Sequence, residues 1–262
     1  MSLPPPLTAL SDLDDHLARI GFAVLDAAGL ARLTAMPVDA FAKWSPHWND
    51  LPPDGYLRDG GRYRRRRHAC FEINLQPAQA PAAMTRVLHR AHWQPLDYNA
   101  LHGGIERWFE PMAHSMAADP AWCALLIALA GRAATLRGQS SGAWFVEAHP
   151  FRIDTTDGIG RPTPEGAHRD GVELVVVILV DRVRIKGGET RVFDNAGPQG
   201  MRFTLTEPWS ALLLDDERMI HESTPIQPIK PGHIGHRDTL VLTFRRGGFQ
   251  GPAAALTAAQ LD

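Results

Sequence analysis

The stretch Ala167–Val180, AHRDGVELVVVILV, constrains this chain more than any other. Its last seven residues are apolar and mostly β-branched, which reads as a buried core strand. Just before it, His168 and Asp170 stand two residues apart, and in extended backbone such a pair points to one side. An imidazole and a carboxylate therefore project together from the mouth of a buried strand.

The rest of the chain decides what such a pair belongs to. With 262 residues, 44% hydrophobic and 21% charged, it is long enough to bury a full core. One domain over 1–262 is expected, with 1–138 as a helical and substrate-pocket elaboration and 139–250 as the core. A net charge of -2 gives no global field toward nucleic acid or an anionic membrane. Cys70 and Cys123 are too few for a disulfide framework and fit a reducing compartment. The opening MSLPPPLTAL lacks a basic and apolar leader, and no apolar stretch approaches the ~18 residues of a membrane span, so a cytoplasmic protein is expected.

Ser11 to Ile20 reads as a helix capped by Ser11 and stopped at Gly21, followed by a brief strand at 22–25. Leu30 to Trp44 has helical spacing broken at Pro37, and 45–61 is loop. Helices are expected at 81–93, 104–116 and 120–130, the last with Asp119 as N-cap, Pro120 at its first position and Gly131 as its stop. Trp93, Trp108, Trp122 and Trp144 are expected to be core. After Gly138 the pattern becomes strands, at 143–153, 172–180, 189–193, 211–214, 219–221 and 239–245, with the loop DGIGRPTPEG feeding His168. Helices confined to the first half and many short strands in the second imply an α+β, mainly β chain with an antiparallel jelly-roll or sandwich core.

An H-x-D tripeptide alone is weak. His221, 51 positions beyond Asp170, also ends an apolar strand candidate, and two histidines plus one carboxylate form the ligand set of a mononuclear non-haem iron(II) site. His149, His233 and His236 are rivals for the third position. Arg237 opens the strand RDTLVLTF with Thr239 on the same face, a plausible clamp for a carboxylate ligand, and Arg245 is its rival. The run Arg62–Arg67, RYRRRR, is expected to be a solvated or substrate-facing strand edge, with a nucleic-acid contact or one arginine entering the site as alternatives.

In order and spacing, His168-x-Asp170, GGETRVF at 187–193, His221 and Arg237-x-Thr239 resemble the double-stranded β-helix core of iron(II)/2-oxoglutarate-dependent dioxygenases. The segments HPFRI, AHRDG, GGETRVFDN, MIHESTPI and HRDTLVLTF are similar to the bacterial branch that contains free L-amino-acid hydroxylases and BsmA-like biofilm and stress proteins. This resemblance implies a jelly-roll, cupin-like core with iron held by His168, Asp170 and His221. It implies the 2-oxoglutarate 5-carboxylate on Arg237, a hydroxyl contact from Thr239 and a cosubstrate or substrate contact from Arg152. It also implies dioxygen and a small substrate, a free L-amino acid. The N-terminal half matches no motif of the family. Two rivals remain: a cupin-like enzyme using another divalent metal, and a non-catalytic stress or biofilm regulator on the same fold.

Overall fold

The computed structural model describes residues 3–77 and 82–252. Its helices are α1 (Leu13–Ile20), α2 (Ala27–Thr34), α3 (Val38–Ala42), α4 (His114–Ala117) and α5 (Pro120–Leu136). Its strands are β1 (Phe22–Leu25), β2 (Arg64–Arg66), β3 (Ala69–Leu75), β4 (Ala83–Arg86), β5 (Gly142–Asp154), β6 (Leu174–Val183) and β7 (Ile185–Gly187). They continue as β8 (Thr190–Asp194), β9 (Gly200–Phe203), β10 (Ala211–Asp215), β11 (Met219–Ser223), β12 (Ile226–Pro228) and β13 (His236–Arg245).

A large sheet runs β1-β10-β6-β13-β5-β3-β4, with β2 also on β5, and two small sheets, β11-β8-β9 and β12-β7, form the opposing layer. This is a jelly-roll arrangement, mostly β, whose layers do not close into one hydrogen-bonded barrel. The strand β1, from the first half of the chain, pairs with β10 and so belongs to the large sheet.

The period of two in each central strand sorts its side chains between two environments. Leu174, Val176, Ile178 and Val180 of β6 face the helices, in one core with Leu125, Leu129 and Trp122 of α5. Val175 and Leu179 face the small sheets, in a second core with Val192, Phe203 and Met219. Both faces of β6 are covered, so a polar residue on either would lose water without a partner, at about 1–3 kcal/mol. That is why the run is unbroken. On β5, Trp144, Val146 and Ala148 pack under the helices. The alternate residues Glu147 and His149 lie on the inner face with Thr243 and Val241 of β13. At the far end of these two strands, the buried Trp48 indole donates to the Phe151 and Thr239 carbonyls at 2.9 and 3.1 Å.

Several local expectations are corrected. The helix expected at 81–93 does not form: 83–86 is β4, paired with β3, and Pro81 lies outside the described residues. Nor is 104–116 helical, apart from the short α4. The apolar spacing there misleads because 87–113 is an irregular rim whose polar groups find tertiary partners, such as the backbone bridges His92–Arg107 and His68–Pro111. The helix α5 runs through Gly131 to Leu136 and stops before Gly138, whose φ is 64°. The first helix starts at Leu13 with Asp12 as its N-cap residue, not with Ser11. Trp122 and Trp144 are buried as expected, whereas Trp108 is 54% exposed. No helix among the described residues is long and apolar enough to cross a membrane.

Candidate active site

His168 and His221 exchange backbone hydrogen bonds, His168 N to His221 O at 3.1 Å and the reverse at 2.9 Å, so both rings leave the same point of the small-sheet layer. His168 Nδ1–H donates to the Gly166 carbonyl at 2.9 Å, which leaves the lone pair on Nε2. The Asp170 carboxylate lies between the rings, 4.0 Å from His168 Nε2 and 3.8 Å from His221 Nε2. A divalent cation 2.0–2.2 Å from each donor needs neighbouring donors about 3 Å apart, a small side-chain rotation from this arrangement. The donor set fits a non-haem iron(II) triad.

A residue that sequence reasoning missed holds this loop. The Asp216 carboxylate accepts the backbone N–H of Asp170, Gly171 and Val172 at 2.7–3.0 Å. Its only trace in the sequence is a pair of acids, LLLDDE, after an apolar strand.

Arg237 is 4% exposed, borders the same cavity, and its Nε has no hydrogen-bond partner. No carboxylate lies within ion-pairing distance of it among the described residues. Thr239, on the same face, also lines the cavity. The Gly-Gly turn that ends β7 packs closely beside Arg237. A Cβ on Gly187 would sit 2.1 Å from the Pro225 carbonyl, and one on Gly188 would press on Ile226 and the Arg182 guanidinium, each at 3.0 Å. Arg152 does not join this group. It sits opposite Asp238 on the other face of β5 and β13, bonded to both carboxylate oxygens at 2.6 and 2.7 Å. Arg245 donates to the Gly248 carbonyl instead. Of the rival histidines, His233 is exposed and His236 lies between Asp181 and Asp238.

The basic run is not a solvated edge throughout. In β2, Arg64 and Arg66 point into the cavity, at 5% and 3% exposure, while Arg65 and Arg67 point out. Arg64 is paired with Asp54 at 2.7 Å. Arg66 lies between the Phe109 and Phe151 rings and donates to His149 Nδ1 at 2.6 Å. A guanidinium only donates, so the neutral His149 carries its proton on Nε2, 3.6 Å from the Glu147 carboxylate. The same oxygen meets His92 Nδ1 at 2.5 Å and His68 Nε2 at 3.1 Å. These four donors lie within 4.8 Å of one another, close enough for a metal. The proton that Arg66 leaves on His149 Nε2 makes the cluster a hydrogen-bonded network instead.

Residues 45–243 match the family described as 2OG-Fe dioxygenase. The chain belongs to that family. It is an oxygenase of the class that uses iron(II) and 2-oxoglutarate. A bsmA homolog from Methylobium petroleophilum PM1 is 56% identical over 95% of this chain and 98% of that one, with a TM-score of 0.88. Two more distant structures share the fold. One is IDO from Bacillus thuringiensis, with TM-score 0.70, 14% identity, and 95% and 100% of the two chains covered. The other is the Fe(II)/(alpha)ketoglutarate-dependent dioxygenase TqaL, with TM-score 0.66, 17% identity, and 92% and 90% covered. No curated protein sequence matches the chain.

Electrostatics around the candidate triad favour a cation. Burial raises the Asp170 carboxyl above its ordinary range, against the pull of His168. Burial and the charge of Asp170 push Asp216 up to about 7, despite its three N–H donors. Burial holds His221 well below its ordinary value, helped by His168. Removing Asp216 should orphan three N–H groups. For Asp216→Ala we expect at least about 2 kcal/mol of lost stability, about 4–8 °C in Tm, and 10- to 100-fold weaker iron(II) binding. Thermal unfolding with an anaerobic iron titration checks both, and an unchanged affinity would deny Asp216 this role.

The network behind the site should make the apo-protein acid-sensitive. Burial drives His92 down to about 3, although Glu147 pulls it up, and Arg107 and Arg66 add to the fall. Burial would raise Glu147, but His92 and the N–H groups of His149 and His68 hold it well below its range. Between about pH 3 and 6.5 the unfolded chain binds a proton at His92 that the folded one does not, so stability rises with pH there. His92 should therefore cost about 1.4 kcal/mol for each unit below pH 6.5, an upper figure. Glu147 adds to the loss below about pH 4.5. His168, held above its ordinary value because Asp170 and Glu165 outweigh its burial, acts the other way. The difference between wild type and His92→Asn in urea midpoints at pH 7.5, 6 and 5 isolates the His92 share, and parallel pH profiles would refute it.

Proposed function

We propose that this oxygenase hydroxylates a small substrate, a free L-amino acid, with His168, Asp170 and His221 holding iron(II) and Arg237 with Thr239 holding the 5-carboxylate of 2-oxoglutarate. The observation that carries this reading is the Arg237 guanidinium, buried without a carboxylate partner on the cavity that the triad enters. A buried charge of this kind is stable only with an anionic ligand, and a guanidinium grips a carboxylate through two bonds. Bound iron(II) would supply the oxidising chemistry, coupling decarboxylation of the 2-oxo acid to C–H hydroxylation. The chain's part is geometric. Gly166 fixes the His168 tautomer, Asp216 holds the backbone under Asp170, and Arg237 sets the cosubstrate's direction.

A cavity of about 120 Å³ supports a small molecule over a polymer as the substrate. The inward Arg64 and Arg66 weigh against a nucleic-acid role for the basic run. The two free cysteines suit a cytoplasmic setting, and the pairing of β1 with β10 suits a single catalytic domain.

The test is succinate release, dependent on iron(II) and 2-oxoglutarate, across the twenty free L-amino acids. Stimulation by at least one of them is expected. Turnover with none would remove the amino-acid substrate. Absence of anaerobic iron(II) and 2-oxoglutarate binding would overturn the assignment of His168, Asp170, His221 and Arg237.

A further inference from the structure

Resting on the amino-acid reading above, we infer that the cavity holds its substrate as a zwitterion, with the carboxylate on Arg107, flanked by Arg64 and Arg66, and the ammonium on Glu165.

Three guanidiniums reach the cavity besides Arg237, and they differ in how their charge is met. Arg64 has Asp54 at 2.7 Å. Arg66 has the neutral His149, and behind it the Glu147 carboxylate that His92 and His68 also bond. Arg107, 2% exposed, has only the Gln94 amide oxygen at 2.8 Å, and no carboxylate within ion-pairing distance among the described residues. Its Nε, the Arg66 Nε and the Arg64 Nη2 all lack partners. Three unused N–H directions on one wall suit an anion. One uncompensated charge suits a monoanion such as a carboxylate, not a phosphate dianion.

Glu165 is the complementary feature. It lines the same cavity beside the triad, with Oε1 3.6 Å from His168 Nε2 and Oε2 buried without any hydrogen-bond partner. A buried carboxylate oxygen left bare costs free energy that an ammonium donor recovers. Gln94 ties Arg107 to the candidate triad, accepting from Arg107 and donating to Asp170 at 2.9 Å, so the carboxylate station has a fixed position relative to those ligands. Val177, Val241 and Ile153 line the same cavity and offer apolar surface for an aliphatic side chain. Glu147 is a positioning residue here, acting on Arg66 through His149.

The test uses calorimetry on the full protein loaded anaerobically with iron(II) and 2-oxoglutarate, so that no turnover is needed. The twenty L-amino acids are titrated, and the tightest is compared with its amide and with its deaminated acid. For the wild type each analogue should bind about 30-fold weaker or worse, the effect of leaving one partner of a buried charge pair alone. In Arg107→Gln the amino acid should fall to the level of the amide while the amide is unchanged, and Arg107→Lys should restore part of the difference. In Glu165→Gln the amino acid should lose its advantage over the deaminated acid. Equal wild-type affinity for amino acid and amide overturns the proposal while leaving the amino-acid reading intact, and it does so even if the variants fail to fold. Equal weakening of both ligands in Arg107→Gln also overturns it. Binding of no amino acid at all overturns both.

Discussion

Asp170→Ala should lose both turnover and the stabilisation that iron(II) confers. Free iron(II) at about 100 times its dissociation constant should add about 2.7 kcal/mol to the wild type, or roughly 5–10 °C of Tm, because only the folded chain presents the converging donors. Those donors are the two imidazole Nε2 atoms and the carboxylate 3.8 and 4.0 Å from them. Without the carboxylate two histidines remain, and the metal-induced shift should vanish. Succinate release should fall by more than the 10- to 100-fold typical of losing a residue that merely supports a ligand. The apo-protein should change little. Its Asp170 carboxyl is already strained by burial, and its removal relieves Asp216 at the cost of one bond from Gln94, about 1 kcal/mol. Anaerobic melting curves with and without iron(II) make the comparison. An iron-induced shift that survives in Asp170→Ala would show that the metal binds elsewhere, and the His68, His92, Glu147 and His149 cluster would be the next place to look.

Arg237→Ala should leave iron binding intact and damage 2-oxoglutarate binding. Deleting one side of a buried, hydrogen-bonded charge pair costs about 2–5 kcal/mol, or about 30- to 4000-fold in the dissociation constant. Arg237→Lys should recover only part of this, since an ammonium cannot match the two-pronged grip of a guanidinium. Thr239→Val should cost only about 1 kcal/mol, the worth of one neutral hydrogen bond. The apo-fold should tolerate Arg237→Ala, because burial and Arg182 already hold this guanidinium down to about 10 against the pull of Asp238, and no carboxylate among the described residues pairs with it. Titration of 2-oxoglutarate into the iron-loaded protein reads the effect directly. Unchanged affinity would favour a cupin-like metalloenzyme with other chemistry.

How much of this was legible in the chain depends on the range of the interaction concerned. Six strands from Gly142 onward, β5, β6, β8, β10, β11 and β13, follow from local apolar patterning and lie within a few residues of expectation, whereas the short β7, β9 and β12 carry too little pattern to be read. The candidate triad was legible because His168 and Asp170 are two apart and His221 ends a strand of its own, so pattern alone nominated them. The segments 81–93 and 104–116 read as helix, yet most of both lies in the irregular rim at 87–113. Its buried polar groups bond across the rim, Arg107 to Gln94, and onward to Asp170, and apolar spacing carries no trace of such partners. Arg152 failed for a related reason. A strand residue has two possible faces, and the pairing of Arg152 with Asp238 on the outer one appears only once β5 and β13 are in register.

The amino-acid sequence by itself determined the mainly β architecture, the candidate metal-binding tripeptide and the arginine that begins the last strand, because alternation, turn residues and β-branching act over a few neighbours. Only the tertiary structure decided which charges are spent and which are free. RYRRRR is one uniform run in the chain, yet the fold turns Arg64 and Arg66 inward, meets one with Asp54 and the other with His149, and leaves Arg107, from a distant loop, unmatched. Charge compensation depends on distance in space and on burial, and neither is a property of neighbouring residues in the sequence.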